Sequence, residues 1–368
     1  MQLRPDTVMI LLHGAADRTT AQPPGGRGRC SEAAWANRRL PFAGYTHLTI
    51  ARYVLLAALG VLMLQPGTAA ASSYRLYLAP DGNDAAAGTE PSTALRSLGA
   101  AQQRLVERRP AAAVEVVIAS GTYLQQSVQW TFANGAPIRV IAAPGAATPP
   151  LFDGRGGATW FALKGGRNAP TRLTFDGLKV SNYWMALDLG SSKTDEDGNG
   201  GNTIRNMQFA RIGGRYGRSA EAAYSFAAIR LQQSRDNRIE HNRFESIEND
   251  TDTSGFIHAL YLARHSSGNR IEGNTFVDVN GDAIRTRDAS DQTYVSGNHF
   301  LRAGKYAAFS DWFKADGECP SQGGEFVGNT VGIGYYRAID ATRTTGADDA
   351  CGALKRPRIA ERGTLKPD

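Results

Sequence analysis

Asn237-Arg-Ile-Glu-His-Asn-Arg-Phe244 returns 32 residues later as Asn269-Arg-Ile-Glu-Gly-Asn-Thr-Phe276. Shorter variants follow as Tyr294-Val-Ser-Gly-Asn-His-Phe300 and Phe326-Val-Gly-Asn-Thr-Val331. In each copy an Asn stands two residues before an apolar residue: Asn242, Asn274, Asn298 and Asn329, at steps of 32, 24 and 31 residues. Repeats of this length, built from short alternating segments without helical periodicity, indicate a solenoid. One such coil cannot bury its apolar face alone, so coils must stack. An Asn recurring at one turn position can form an inward hydrogen-bonded ladder that satisfies backbone groups the turn would strand.

Working outward, a second phrase follows the first in each coil. It reads Ala186-Leu-Asp-Leu189, Ala228-Ile-Arg-Leu231, Ala259-Leu-Tyr-Leu262, Ala283-Ile-Arg-Thr286, Ala308-Phe-Ser-Asp311 and Ala338-Ile-Asp-Ala341. Strand alternation points Leu187, Ile229, Leu260, Ile284, Phe309 and Ile339 inward. Asp188, Arg230, Tyr261, Arg285, Ser310 and Asp340 then form one outward column, with adjacent coils ~4.8 Å apart. Two residues on, the same face carries Gln232, Ala263, Arg287 and Trp312.

These coils resemble those of the right-handed parallel β-helix, or pectin-lyase-like, superfamily. The segments Tyr77-Leu-Ala-Pro-Asp-Gly-Asn-Asp-Ala-Ala-Ala-Gly-Thr89 and Ala94-Leu-Arg-Ser-Leu-Gly-Ala-Ala101 resemble the opening of such helices in secreted polysaccharide-active proteins. Val116-Val-Ile-Ala-Ser-Gly-Thr-Tyr123 resembles their first coil. The resemblance runs from about Tyr74 to Thr345. It implies an all-β, right-handed parallel β-helix solenoid, and it is specific for fold rather than reaction, because such folds host lyases, hydrolases, epimerases and binders. Leu95 to Arg109 reads as a short amphipathic helix stopped by Pro110, placed to cap the open N-terminal end.

The domain is expected over residues 72–350, with residues 351–368 as a C-terminal tail. Upstream, Val54 to Leu64 is an apolar run of 11 residues preceded by Arg52, and small residues follow up to Ala69 and Ala71. Residues 51–71 therefore read as a signal peptide, too short for a helix spanning a bilayer. Residues 1–50, rich in Arg, Gly and Pro, read as a non-native or disordered extension. Secretion or export to a periplasm follows. The net charge of +6 shrinks once residues 1–71 are set aside: 34 basic residues then face 32 acidic ones, or +2. Charge thus gives no argument for nucleic-acid binding. Cys319 and Cys351 form an even pair in an exported chain, and a disulfide is the default reading. A monomer is expected.

The strongest functional constellation is His258, Tyr261, Arg264, Arg285 and Arg287, with Arg230 and Asp188 on flanking coils. Guanidinium groups grip carboxylates in bidentate pairs, so a linear uronic-acid polysaccharide is the natural partner. β-Elimination needs a neutralised uronate carboxylate, a base for the C5 proton and an acid for the departing oxygen. Arg285, Tyr261 and His258 are the catalytic candidates; Asp188, Arg230, Arg264, Arg287, Trp312 and Lys314 are the substrate-binding ones. Trp312 would stack on a pyranose ring.

Competing readings stand beside this. Arg columns also serve as solvated faces that keep stacked strands soluble. Strict alternation turns His258 inward as a satisfied core histidine. Asp282, Asp288 and Asp311 offer carboxylates for a hydrolase or, with the same proton chemistry as a lyase, an epimerase is possible. A non-catalytic polysaccharide binder is the alternative from another class. Asp195-Glu-Asp197-Gly-Asn199-Gly200 resembles the first half of an EF-hand loop, but the twelfth position is Asn206 rather than Glu. The cofactor expectation is therefore none, or Ca2+ at Asp195, Asp197 and Asn199, with Asn249, Asp250 and Asp252 as a second acidic loop.

Overall fold

Three short strands make each coil: Arg238–Glu240, Arg243–Ile247 and His258–Ala263 in one, Arg270–Glu272, Thr275–Val279 and Ile284–Thr286 in the next. The computed structural model describes residues 73–164, 171–190, 199–314, 317–346 and 351–367. The N-terminal extension and signal segment lie outside the described residues. Within them the strands form one ten-stranded and one fourteen-stranded sheet, and neighbouring strands pair in parallel. The long strand Lys179–Gly190 crosses both columns of the larger sheet. It pairs with Gln208–Ile212 through its first half and with Ala227–Gln232 through its second. Among the described residues no helix is long and apolar enough to cross a membrane.

In-phase register stacks like on like. Phe209, Phe244, Phe276 and Phe300 align on successive coils. Their ring centroids lie 5.0, 5.0 and 4.8 Å apart, nearly parallel. Ile204, Ile239, Ile271, Val295 and Phe326 form a second inner column. Leu187, Ile229, Leu260, Ile284 and Phe309 form the third, as alternation requires.

The Asn ladder is present. Asn274 Oδ1 accepts from the backbone amide and Nδ2 of Asn242 at 2.9 and 3.0 Å. Asn298 serves Asn274 likewise, and Asn329 serves Asn298. The residue before each ladder Asn is left-handed: His241, Gly273, Gly297 and Gly328 have φ of 56°, 63°, 62° and 59°. Glycine takes this conformation without Cβ strain, which is why three of the four copies read Gly-Asn. A second ladder runs Asn202, Asn237, Asn269, and Ser234, Ser266, Ser290 and Ser321 form a third.

The expected cap is a helix over Leu98–Arg108, begun by the Ser97 side chain accepting from the Ala100 amide. Such a cap satisfies an amide the first turn leaves orphaned. Leu98, Ala101 and Leu105 are buried with Leu76 and Leu78 of the first strand. Cys319 and Cys351 are joined by a disulfide, Cα to Cα 5.7 Å.

Two expectations need correction. The segment from Cys351 is more than a tail: Ile359–Arg362 pairs in parallel with Gly324–Val327, Leu365 bridges Thr330, and Arg358 binds Asp311. Ile359 packs against the core, and that apolar contact is what one low-hydrophobicity segment needed to join the solenoid. The last outward position is also out of phase. The connection from 332 to 339 delays the strand, so Asp340 aligns with Ala307, and Arg343 takes the place beside Ser310.

Candidate functional site

Register places Asp188, Arg230, Tyr261, Arg285, Ser310 and Arg343 side by side on the outer face. The connections 213–226 and 248–257 rise along one edge of this face, while the segment around Glu318 closes the other. Between them lies a groove of about 860 Å³, with Tyr261 and Arg285 in its floor.

His258 opens the strand of Tyr261 and is buried, 2 % exposed. Its Nδ1 lies 2.7 Å from the Asp282 carbonyl oxygen. A carbonyl only accepts, so Nδ1 carries the proton and Nε2 keeps a lone pair. Burial, and then the Arg285 guanidinium, push the His258 pKa down, so the ring is neutral. It stacks on Tyr261 with centroids 5.5 Å apart. His258 is thus turned inward while still bordering the groove.

Asp282 is 1 % exposed and fully engaged. Its Oδ1 accepts from the amides of Tyr306 and Ala307, and its Oδ2 from Arg285 Nη2 at 2.6 Å. Burial pushes this carboxyl up, but Arg285 and the two amides outweigh it and hold it below its ordinary value. Arg285 Nε donates to Ser310 Oγ at 2.9 Å. Arg285 lines the groove, and no described residue accepts from its Nη1.

Arg287 joins three partners. Nε and Nη2 grip Glu318 at 2.8 and 2.6 Å, Nη1 donates to the Tyr261 phenol at 3.2 Å, and the guanidinium lies 4.4 Å from the Trp312 ring centroid. Burial works against its charge, yet Glu318 and Tyr261 raise its pKa above the ordinary value. One face of Trp312 is thus occupied by Arg287. Arg230 is similarly satisfied, by a bidentate pair with Asp188 at 3.0 Å and a further bond to Glu221. Asp188 is buried beneath it and pairs with Lys164 as well, at 3.7 Å. It acts as an internal counter-charge and does not line the groove.

The remaining predicted residues divide. Arg264 lines the groove and donates to Gln232 at 3.2 Å. Lys314 is exposed beside Glu318, outside the groove lining. Asp195 and Asp197 lie outside the described residues. Asn199 faces inward: Nδ2 donates to the Leu189 carbonyl, and Oδ1 accepts from Asn202 and Ser234, so its oxygen is not presented to a cation. Asn249 likewise belongs to an inner pair with Asn280. No group of three or more acidic, His or Cys residues among those described could hold a metal ion. Of the hydrolase carboxylates, Asp311 is fully buried between Thr286 and Arg358, Asp282 is buried with Arg285, and Asp288 lines the groove.

Sequence reasoning missed the groove's aromatic and cationic walls. Phe256, half exposed, stacks on Tyr224 at 4.7 Å. Lys305, Tyr306 and Arg343 line the groove as well, with Lys305 reaching Ser254, two residues before Phe256. All but Arg343 come from connections that do not repeat, so coil spacing carries no signal for them.

Residues 163–316 match the family model described as "Right handed beta helix region". With parallel register over three strands per coil, that decides the architecture. The protein is a right-handed parallel β-helix. This β-helix is similar in fold to several solved structures. An alginate lyase from Paenibacillus sp. str. FPU-7 is 14% identical with a TM-score of 0.48, over 73% of this chain and 92% of that one. Pectate lyase Pel9A is 15% identical with a TM-score of 0.43, over 80% of both chains. The A-module of the Azotobacter vinelandii mannuronan C-5 epimerase AlgE6 is 12% identical with a TM-score of 0.27, over 73% and 94%. No curated protein sequence matches the chain.

Proposed function

We propose that this β-helix binds an anionic, uronic-acid polysaccharide in the groove and cleaves it by β-elimination. The observation that carries the reading is the Tyr261 phenol in the groove floor, hydrogen-bonded by Arg287 and stacked on a neutral His258. Tyr261, oriented by the Arg287 hydrogen bond, acts as the base and in its phenolate form takes the C5 proton of the uronate. Electrons shift to form the C4–C5 double bond, and the bond from C4 to the glycosidic oxygen breaks. The same phenol then returns the proton to the departing oxygen. Arg285 offers its Nη1 donors to the uronate carboxylate, which raises the acidity of the C5 proton. His258 holds the Tyr261 ring in place; its lowered pKa makes it a poor proton donor at neutral pH.

A second reading has its own support. The groove is lined by the exposed rings of Phe256 and Tyr306 beside Lys305 and Arg343, which suits a surface that binds a polysaccharide without cutting it. Export fits either reading, since a disulfide persists in oxidising compartments and the run Val54 to Leu64 precedes the domain.

The test is ultraviolet absorbance of the unsaturated uronate while the protein meets polygalacturonate, alginate and hyaluronan. Absorbance should rise on one of them, and Tyr261→Phe should slow the rise at least ~100-fold. If folded protein gave no rise on any of these polymers, the lyase reading would fail. Retained polymer binding would then favour the binder.

A further inference from the structure

The groove arginines expected to grip the polymer are largely neutralised from within the protein. Arg230 faces Asp188 and Glu221, Arg285 faces Asp282, and Arg287 faces Glu318. Two other cations have no such match. Lys305 Nζ lies 5.6 Å, and Arg343 Cζ 5.1 Å, from the centroid of the same ring, that of Tyr306. Neither forms an ion pair with a described residue. Asp282, bonded to the Tyr306 amide, has both oxygens committed to two amides and Arg285. Without an internal counter-ion among the described residues, both charges are left for an external anion to satisfy.

We propose that Lys305 and Arg343, converging on Tyr306, form a carboxylate subsite in the groove. It takes a uronic-acid residue other than the one that meets Tyr261. The proposal rests on the polysaccharide reading above and names which residues read the polymer's charge. Three features support it. Lys305 is pre-oriented by a 3.0 Å bond to Ser254 Oγ, so little is lost in fixing it on binding. Tyr306 is 46% exposed, so the cations on its ring can be reached from the groove. Arg343 aligns with Ser310, Ser310 with Arg285, and Arg285 with Tyr261. Three coils at ~4.8 Å put the Arg343 strand position roughly 14 Å along the axis from that of Tyr261, while Lys305 reaches back as far as Ser254. A linear polymer laid along the coils would meet both, with different sugar residues.

The test uses calorimetric binding of alginate and polygalacturonate oligosaccharides, each beside its carboxyl-reduced form, to the wild type, Lys305→Ala and Arg343→Ala. The wild type should bind an acidic form and lose that binding on carboxyl reduction. Each substitution should weaken binding about tenfold, the size of one lost charge-assisted hydrogen bond. On a cleaved polymer, KM should rise by a similar factor with kcat within about twofold, because the subsite is remote from the reacting bond. Arg343→Ala is the deciding variant, since the Arg343 side chain makes no hydrogen bond to a described residue and its loss spares the fold. Unchanged affinity in Arg343→Ala would overturn the subsite while leaving Tyr261 chemistry standing. Dextran sulfate displacing the oligosaccharides from the wild type, but not from Arg343→Ala, at lower concentration than free uronate would overturn the carboxylate assignment in favour of sulfate. A wild type that binds no uronic oligosaccharide would overturn both the subsite and the polysaccharide reading.

Discussion

The two faces of the same strands obey different rules. Inside, Asn242, Asn274 and Asn298 each donate backbone and side-chain hydrogens to the next Asn, with nearly constant distances. Outside, Arg230, Tyr261, Arg285 and Ser310 occupy equivalent positions yet bond to different partners. The interior of a solenoid is bounded only by other coils, so one residue type solves one problem repeatedly. The exterior meets connections that differ from coil to coil. Repetition therefore marks structure, and its breakdown at Tyr261 marks the place to look for chemistry.

Asn274→Ala should produce the largest stability loss. Its Oδ1 accepts two hydrogens from Asn242, and its Nδ2 serves the Ile239 carbonyl and Asn298. Alanine would leave several buried polar groups without partners, for a loss of about 3 kcal/mol or more. Urea unfolding followed by tryptophan fluorescence measures it. A loss below about 1 kcal/mol would mean that water replaces the ladder and that the interior is less dry than the burial implies.

His258 stands between the two faces, and pH separates its contributions. Its pKa in the fold is lowered by burial and then by Arg285, against about 6.5 in an unfolded chain. Above that value both states hold a neutral ring and stability is full. As pH falls below it, the unfolded chain binds a proton that the native ring refuses, so stability declines by up to about 1.4 kcal/mol per pH unit. Asp282 is also lowered in the fold, so its stabilisation is present above ~3.9 and fades only as pH falls through its folded value. The window below pH ~6.5 therefore belongs to His258 rather than Asp282. Unfolding at about pH 7.5 and 5.5 should differ by about 1.4 kcal/mol more in the wild type than in His258→Gln. Equal differences in both proteins would show that the ring is protonated in the fold.

The same contrast explains how far the sequence could be read. The repeated Asn-x-Phe phrase determined which residues face inward, and the alternation through Leu260 and Ile284 fixed the outer column as far as Ser310. The phase was lost at Asp340, because eight residues from 332 to 339 separate two strands of the last coil and no spacing rule counts them. The second ladder was visible as the first Asn of each phrase, Asn237 and Asn269, but one conspicuous Asn per repeat drew attention from the other. Partners such as Glu221, Glu318 and Lys305 lie on connections without counterparts in neighbouring coils. Their meeting with Arg230, Arg287 and Tyr306 depends on loop conformation, which periodicity does not encode. Cys319 and Cys351 were pairable by number alone because no other Cys lies between Tyr74 and Pro367.

The smallest effect should come from the ten-stranded sheet, where one outer ion pair recurs on two adjacent coils. Arg238 and Arg270 are aligned, and each pairs with the Glu two residues on, Glu240 and Glu272. Such repetition, by the logic of the interior, signals a structural surface rather than a site. The Arg270 side chain remains 47% exposed, and its guanidinium lies 4.5 Å from the Tyr294 ring centroid. Solvent screens an exposed pair, and the ring contact adds little, so Arg270→Ala should cost about 0.5 kcal/mol. Polysaccharide binding and cleavage should not change at all. A measurable loss of either function in Arg270→Ala would break the comparison, since an outward pair repeated on adjacent coils would then be working as a site.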